Sequence, residues 1–144
     1  MAEGTEPDRG VVLFVDDEEK SRKYFQRVFG RTWNVVVVED GRRALELYEQ
    51  LGDRVRVVVT DQIMPRLTGL ELLRVLRDKG ASVVRVLSTA YTDSALVEEA
   101  VGEGLIDYFV GKPWDLEKME EVLEQAEVHY HYRLSGEEAA GQVA

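Results

Sequence analysis

Four stretches of the 144-residue sequence place chemically able side chains directly after a short apolar run. Asp16-Asp17-Glu18-Glu19 follows residues 11–15, and Thr60-Asp61 follows 55–59. Ser88-Thr89-Ala90 follows 83–87, and Gly111-Lys112-Pro113 follows 106–110. Brought together, these points would supply three carboxylates, a hydroxyl and an ammonium. Three close carboxylates repel one another, and a divalent cation relieves the repulsion. Oxygen donors without His or Cys favour a hard ion such as Mg²⁺, which keeps several waters and prefers a partner phosphate. A carboxylate can also act as a nucleophile and become an acyl phosphate. The cation and the lysine would then offset charge on the transferring phosphoryl group, while a threonine hydroxyl donates to one of its oxygens. The inventory matches phosphoryl transfer to an aspartate.

Each residue also has a purely structural reading. An acid pair after a strand can cap and charge the start of a helix. A lone Asp61 can close an Asx turn. A lone Thr89 can be a cap, and a lone Lys112 a solvated surface charge. Structural needs do not require all of them at the ends of successive strands, and that joint occurrence favours the chemical reading.

The elements that must position these residues are legible in the hydrophobic pattern. Residues 11–15, 35–38, 55–59, 83–87 and 106–110 are apolar runs, the last three each interrupted by one charged residue, Arg56, Arg85 and Asp107. Such runs suit strands buried on both faces. Between them lie stripes at helical spacing: Tyr24, Phe25, Val28 and Phe29; Ala44, Leu45, Leu47 and Tyr48; Leu70, Leu72, Leu73, Val75 and Leu76 before a stop at Gly80. Thr92-Asp93 is expected to cap a fourth helix carrying Leu96, Val97, Ala100 and Val101. A fifth is expected to start near Trp114. Strand and helix alternate five times, which predicts an α/β fold with a parallel sheet and helices on both faces. In open parallel sheets, sites form outside the carboxyl ends of the strands, where the polar residues fall.

Composition narrows the function. The chain has 28 acidic and 18 basic residues, a net charge of −10, and no cysteine. Residues 1–113 carry −4 of that charge and residues 114–144 carry −6. Phosphate backbones repel such a surface, so direct nucleic-acid binding is not expected. Disulfide, thiolate and cysteine-ligated metal chemistry are excluded. No run approaches the ~20 apolar residues that span a bilayer, and residues 1–10 lack the pattern of an export signal. A cytoplasmic location and no membrane partner are expected.

The pattern resembles the receiver domains of two-component response regulators. The likeness rests on Val15-Asp16-Asp17-Glu18, Thr60-Asp61-Gln62-Ile63-Met64-Pro65, Thr68-Gly69-Leu70-Glu71-Leu72-Leu73, Leu87-Ser88-Thr89-Ala90-Tyr91 and Gly111-Lys112-Pro113-Trp114-Asp115, in order and spacing over residues 10–125. It is closest to the subgroup with Lys-Pro-Trp-Asp after the fifth strand. The resemblance implies a doubly wound, flavodoxin-like (βα)5 three-layer sandwich with strand order 2-1-3-4-5. It implies that Asp61 accepts a phosphoryl group from a sensor histidine kinase or phosphotransfer protein. It implies a Mg²⁺ ion held by Asp17, by Asp16 mainly through water, by Asp61 and by the backbone carbonyl of Ile63. Thr89 and Lys112 would contact the phosphoryl group, and the Lys112–Pro113 bond would be cis. Phe109 takes the place of the aromatic switch residue, with Tyr108 as its rival. Phosphorylation would move Thr89, let Phe109 turn inward, and reshape the face made by the fourth helix, fifth strand and fifth helix. An output domain or downstream protein would read that face, and a homodimer could form there or through an extension of the fifth helix. The chain would be a signalling switch and no enzyme beyond slow self-phosphorylation and self-dephosphorylation. Bulky Ile63 and Tyr91 would hinder hydrolytic water and slow the latter.

Three alternatives compete. A receiver fold used only for unphosphorylated docking would not need the intact carboxylate set. A haloacid-dehalogenase type phosphatase would need a nucleophile and an acid two residues apart after the first strand; position 18 is instead Glu, Asp16 is followed by Asp17, and no cap domain is expected. A flavodoxin would need a phosphate-cradling loop where acids would repel the phosphate.

The expected organisation is a flexible leader at 1–10, a receiver at 11–126, and a helix-five extension with a frayed tail at 127–144. The stripe Leu116, Met119, Leu123, Ala126 and Tyr130 is expected to pack to Ala126 and then run into solvent. His129 and His131 point apart at i, i+2 and are read as surface residues.

Overall fold

The computed structural model describes residues 10–80, 82–90 and 94–136. Its order is β1 (Val11–Val15), α1 (Glu19–Phe29), β2 (Asn34–Val38), α2 (Gly41–Leu51), a 3-10 turn (Gly52–Arg54), β3 (Val55–Thr60), α3 (Gly69–Asp78), β4 (Val84–Thr89), α4 (Ser94–Gly102), β5 (Tyr108–Gly111) and α5 (Leu116–Ser135). The five strands form one parallel sheet in the order β2-β1-β3-β4-β5.

Strand residues alternate between two cores, as the period of two demands. Leu13 and Val15 of β1 pack with α2, α3 and α4 through Ala44, Leu72, Leu73, Leu76 and Ala100. Val12 and Phe14 face α1 and α5 through Phe25, Phe29, Met119, Leu123 and Ala126. These are the three layers expected from the alternation. Capping follows local chemistry. Thr68 and Glu71 form a reciprocal capping box at α3, and Asp115 accepts from the Glu117 and Lys118 amides at α5. Gly80, with φ of 71°, ends the α3 region as expected.

Two expectations are corrected. The fifth strand begins at Tyr108, not 106, because Asp107 turns its carboxylate to Arg133 and to the Arg85 amide. The apolar stripe of α5 also does not run into solvent after Ala126. Tyr130 is 2% exposed and its hydroxyl donates to the Asp53 carbonyl at 2.9 Å. Arg133 donates to the Val83 carbonyl at 3.1 Å and to both oxygens of Asp107. The stripe past Ala126 therefore closes the lower edge of the sheet, leaving only Val128, Tyr132 and Leu134 of α5's later turns exposed as large apolar groups. His131 is exposed and near Glu127, whereas His129 is half-buried with Nδ1 3.4 Å from the Tyr108 hydroxyl. Most of the expected leader, the Thr92-Asp93 cap, Tyr91 and the last eight residues of the tail lie outside the described residues. Among the described residues, no helix is long and apolar enough to cross a membrane.

Candidate functional site

The strand order reverses between β1 and β3, and that switch point brings two distant acids together. Val15 pairs with Thr60 across the two strands, so the next residues, Asp16 and Asp61, emerge side by side. Their amides complete the ladder, Asp16 to the Val38 carbonyl at 3.1 Å and Asp61 to the Val15 carbonyl at 3.0 Å. On the other side, Thr89 pairs with Gly111, and the Lys112 amide donates to the Thr89 carbonyl at 3.2 Å. That register aims Lys112 at the acids. Its Nζ lies 2.6 Å from Asp16 Oδ2 and 3.3 Å from Asp61 Oδ2. The Lys112–Pro113 bond is cis.

Asp16 is fully buried, Asp61 partly, and Asp17 is exposed. Each offers an oxygen within 4.8 Å of the others. Burial pushes the Asp16 carboxyl above its ordinary value, and the Lys112 ammonium and Glu18 amide offset only part of that. Burial alone would lower Lys112, but its bond to Asp16 and the charges of Asp16 and Asp61 outweigh it and hold the ammonium above its usual value. Two of the three carboxylates thus share one ammonium, and Asp17 adds a further negative charge beside them. A small divalent cation with a taste for oxygen fits this donor set, and nothing in it suits a soft metal.

The structural readings fare unevenly. Neither Asp16 nor Asp17 caps α1; Glu18 holds that place, without a side-chain bond. Asp16 Oδ1 instead accepts from the Glu18 amide at 2.9 Å. Asp61 accepts from the adjacent Gln62 amide at 2.7 Å through Oδ1, one residue on and not the two of an Asx turn. Its Oδ2 remains directed at Lys112. Thr89, 2% exposed, ends β4, five residues before α4. Ile63 is 58% exposed in the loop after Asp61. Phe109 packs on the side of α4, with Leu96 and Val97, whereas Tyr108 packs on the side of α5.

Several contributors carry no isolated signal. Gly69 lies so close to the Asp61 carbonyl that a Cβ there would sit 2.1 Å from the oxygen. Only glycine allows that approach. Gln62 bridges the loop, its side chain accepting from the Leu70 amide at 2.8 Å. Arg22 donates to the Asp16 carbonyl at 2.8 Å. Trp114 Nε1 donates to Ser88 Oγ at 2.6 Å, a pairing no spacing would suggest.

Residues 12–124 match the response regulator receiver domain family. The chain belongs to that family. This receiver is 33% identical over 118 residues to the hydrogenase transcriptional regulatory protein HoxA of Cupriavidus necator, covering 82% of this chain and 24% of HoxA. It is 36% identical over 109 residues to the response regulator MprA of Mycolicibacterium vanbaalenii, covering 75% of this chain and 46% of MprA. It therefore spans less than half of the length of either regulator. It also resembles the solved signal receiver domain of an HD domain-containing protein from Pseudomonas fluorescens Pf-5, with a TM-score of 0.78 and 28% identity, over 85% of this chain and 98% of that one. Receiver domains are signalling switches rather than enzymes with a turnover substrate. They work with histidine kinases and, in relatives such as these, form one part of a longer regulator.

Proposed function

We propose that this receiver is a Mg²⁺-dependent switch whose phosphoacceptor is Asp61. The observation that carries the reading is the meeting of Asp61 with Asp16, Asp17 and Lys112, within 4.8 Å for the acids and 3.3 Å for the ammonium. Asp17, Asp61 and the Ile63 carbonyl would hold the ion directly, and the buried Asp16 mainly through water. When bound, it neutralises charge on the transferring group. An Asp61 oxygen forms the new bond to phosphorus while the bond from phosphorus to the donor breaks. The donor, a phosphohistidine of a sensor kinase or phosphotransfer protein, or a small acyl phosphate, leaves with the electron pair. Lys112 follows the added charge, roughly two negative units. Thr89 donates its hydroxyl to a phosphoryl oxygen. Phe109, on the α4 side, turns into the space Thr89 leaves, and the α4-β5-α5 face shifts between two states. A downstream protein, an output domain or a second copy reads it in the cytoplasm. The net charge of −10 favours a protein partner over nucleic acid.

The test exposes purified protein to acetyl phosphate with and without Mg²⁺ and reads the intact mass beside Asp61→Asn. The expected result is one phosphoryl adduct that needs Mg²⁺ and vanishes in the variant. No adduct on folded, Mg²⁺-binding protein would replace the switch with a phosphorylation-independent docking module. Ile63, 58% exposed beside Asp61, shields the acyl phosphate from water. Ile63→Asn should hasten the loss of phosphate several-fold when the adduct mass is followed in time.

A further inference from the structure

One aromatic side chain touches the surroundings of nearly every group at the site without entering it. Trp114 stands two residues after Lys112, and Lys112 Nζ lies 5.9 Å from its ring centroid. Its Nε1 donates at 2.6 Å to the oxygen of Ser88, which is 1% exposed and precedes Thr89 in β4. Its ring meets Phe14 edge-on at 5.6 Å, two residues before Asp16, and Phe25 at 5.5 Å. Tyr24 of α1 stacks on its outer face at 5.7 Å and 12°. The indole is thus clamped by β1 and α1 while it holds the end of β4. The Ser88 acceptor is buried and Trp114 half-buried, so breaking their bond leaves Ser88 Oγ where water does not readily replace the lost partner.

Resting on the function proposed above, we infer that Trp114 is a positioning residue for phosphoryl transfer. By tying the Lys112–Pro113 segment to Ser88, it keeps the Lys112 ammonium and the Thr89 hydroxyl at one separation, aimed at the same side of Asp61. Small misplacements of such groups cost large factors in rate. The indole touches no reacting atom and acts through Ser88 and Lys112 alone. Trp33 offers the contrast within the same chain. It is 2% exposed and its Nε1 donates to Glu120 at 3.0 Å, away from the acids. Its place is structural.

The test measures the rate constant of phosphorylation by acetyl phosphate with Mg²⁺ at a temperature where circular dichroism shows each variant folded. Trp114→Phe keeps a ring and loses the N–H; Ser88→Ala loses the acceptor. Each should slow the reaction by about three- to tenfold, the worth of one buried hydrogen bond. The double variant should be no slower than the slower single, because both remove one bond. Trp33→Phe should lower the melting temperature and leave the rate within twofold. Single variants within twofold of the parent would overturn the inference. So would multiplicative effects in the double variant, or rates that simply follow melting temperature across all three sites. If Trp114→Phe fails to fold, Ser88→Ala against the parent decides. A parent that takes up no phosphoryl group defeats the proposed function itself, and the inference falls with it. A reactive parent with unaffected variants defeats only the role of Trp114.

Discussion

The two ends of the sheet handle charge in opposite ways. At the amino ends of the strands, Arg85 and Arg133 enclose Asp107, and Arg56 pairs with Glu127 at 2.5 Å. Guanidinium groups of Arg85 and Arg133 also donate to the carbonyls of Leu105, Gly104 and Val83. Each of these charges has an opposite partner within the fold. At the carboxyl ends, Asp16 and Asp61 share Lys112, with Asp17 close beside them. Charge there is left over for something that comes and goes. Buried ionic groups in this fold are therefore of two kinds. One set holds the fold, and the other leaves a surplus for binding.

The sharpest test separates the ends by mutation. Asp107→Ala leaves two largely buried guanidinium groups without their carboxylate, a change worth about 3 kcal/mol of stability. Urea unfolding should show that loss, while phosphorylation of the folded variant stays within twofold of the parent. A variant that loses reactivity in proportion would dissolve the division between the ends.

The next effect belongs to the upper end alone. Mg²⁺ at ten times its Kd should stabilise the protein by about 1.4 kcal/mol, because it binds the folded state only. Asp17→Asn should abolish the gain, and Asp107→Ala should retain it. Equal responses in both variants would place the ion elsewhere.

The smallest effect concerns Asp16. Its folded carboxyl titrates above the ordinary 3.8, so between 3.8 and that higher value the folded chain binds more protons than the unfolded chain. Stability contributed by this group is present below 3.8 and is lost as pH rises through the folded value. Without Mg²⁺, Asp16→Asn should therefore melt a few degrees higher than the parent at neutral pH, and the gap should close on acidification. Lys112, held above 10.5, contributes stability that is lost only as the solution passes above that value. A variant that melts lower at neutral pH would mean that the Lys112–Asp16 contact outweighs the burial of the acid.

Much of the candidate site was legible in the sequence. Asp16, Asp17, Thr60-Asp61, Thr89 and Lys112 come directly after apolar runs, and parallel strands deliver their terminal residues to one edge. Other features were not legible. The contact of Gly69 with the Asp61 carbonyl depends on how a nine-residue stretch folds back, and no periodicity reports that. The burial of Tyr130 and Arg133 depends on Asp53, Val83 and Asp107, residues 77, 50 and 26 positions away. A stripe along a helix shows which side is apolar, and not how far the surface beneath it extends. That is why the stripe by itself predicts packing only as far as Ala126.

The order and kind of elements, the two-faced burial of the strands and the identity of the edge residues were determined by the sequence itself. Hydrophobic period and residue type act locally, and each run carries them within its own few residues. The tertiary structure decided the pairing of Lys112 with Asp16, the bond from Trp114 to Ser88, the Arg85–Asp107–Arg133 cluster and the reach of α5. Those contacts join residues 22 to 96 positions apart. Their formation depends on strand register and helix length at once, which no single stretch of the chain contains.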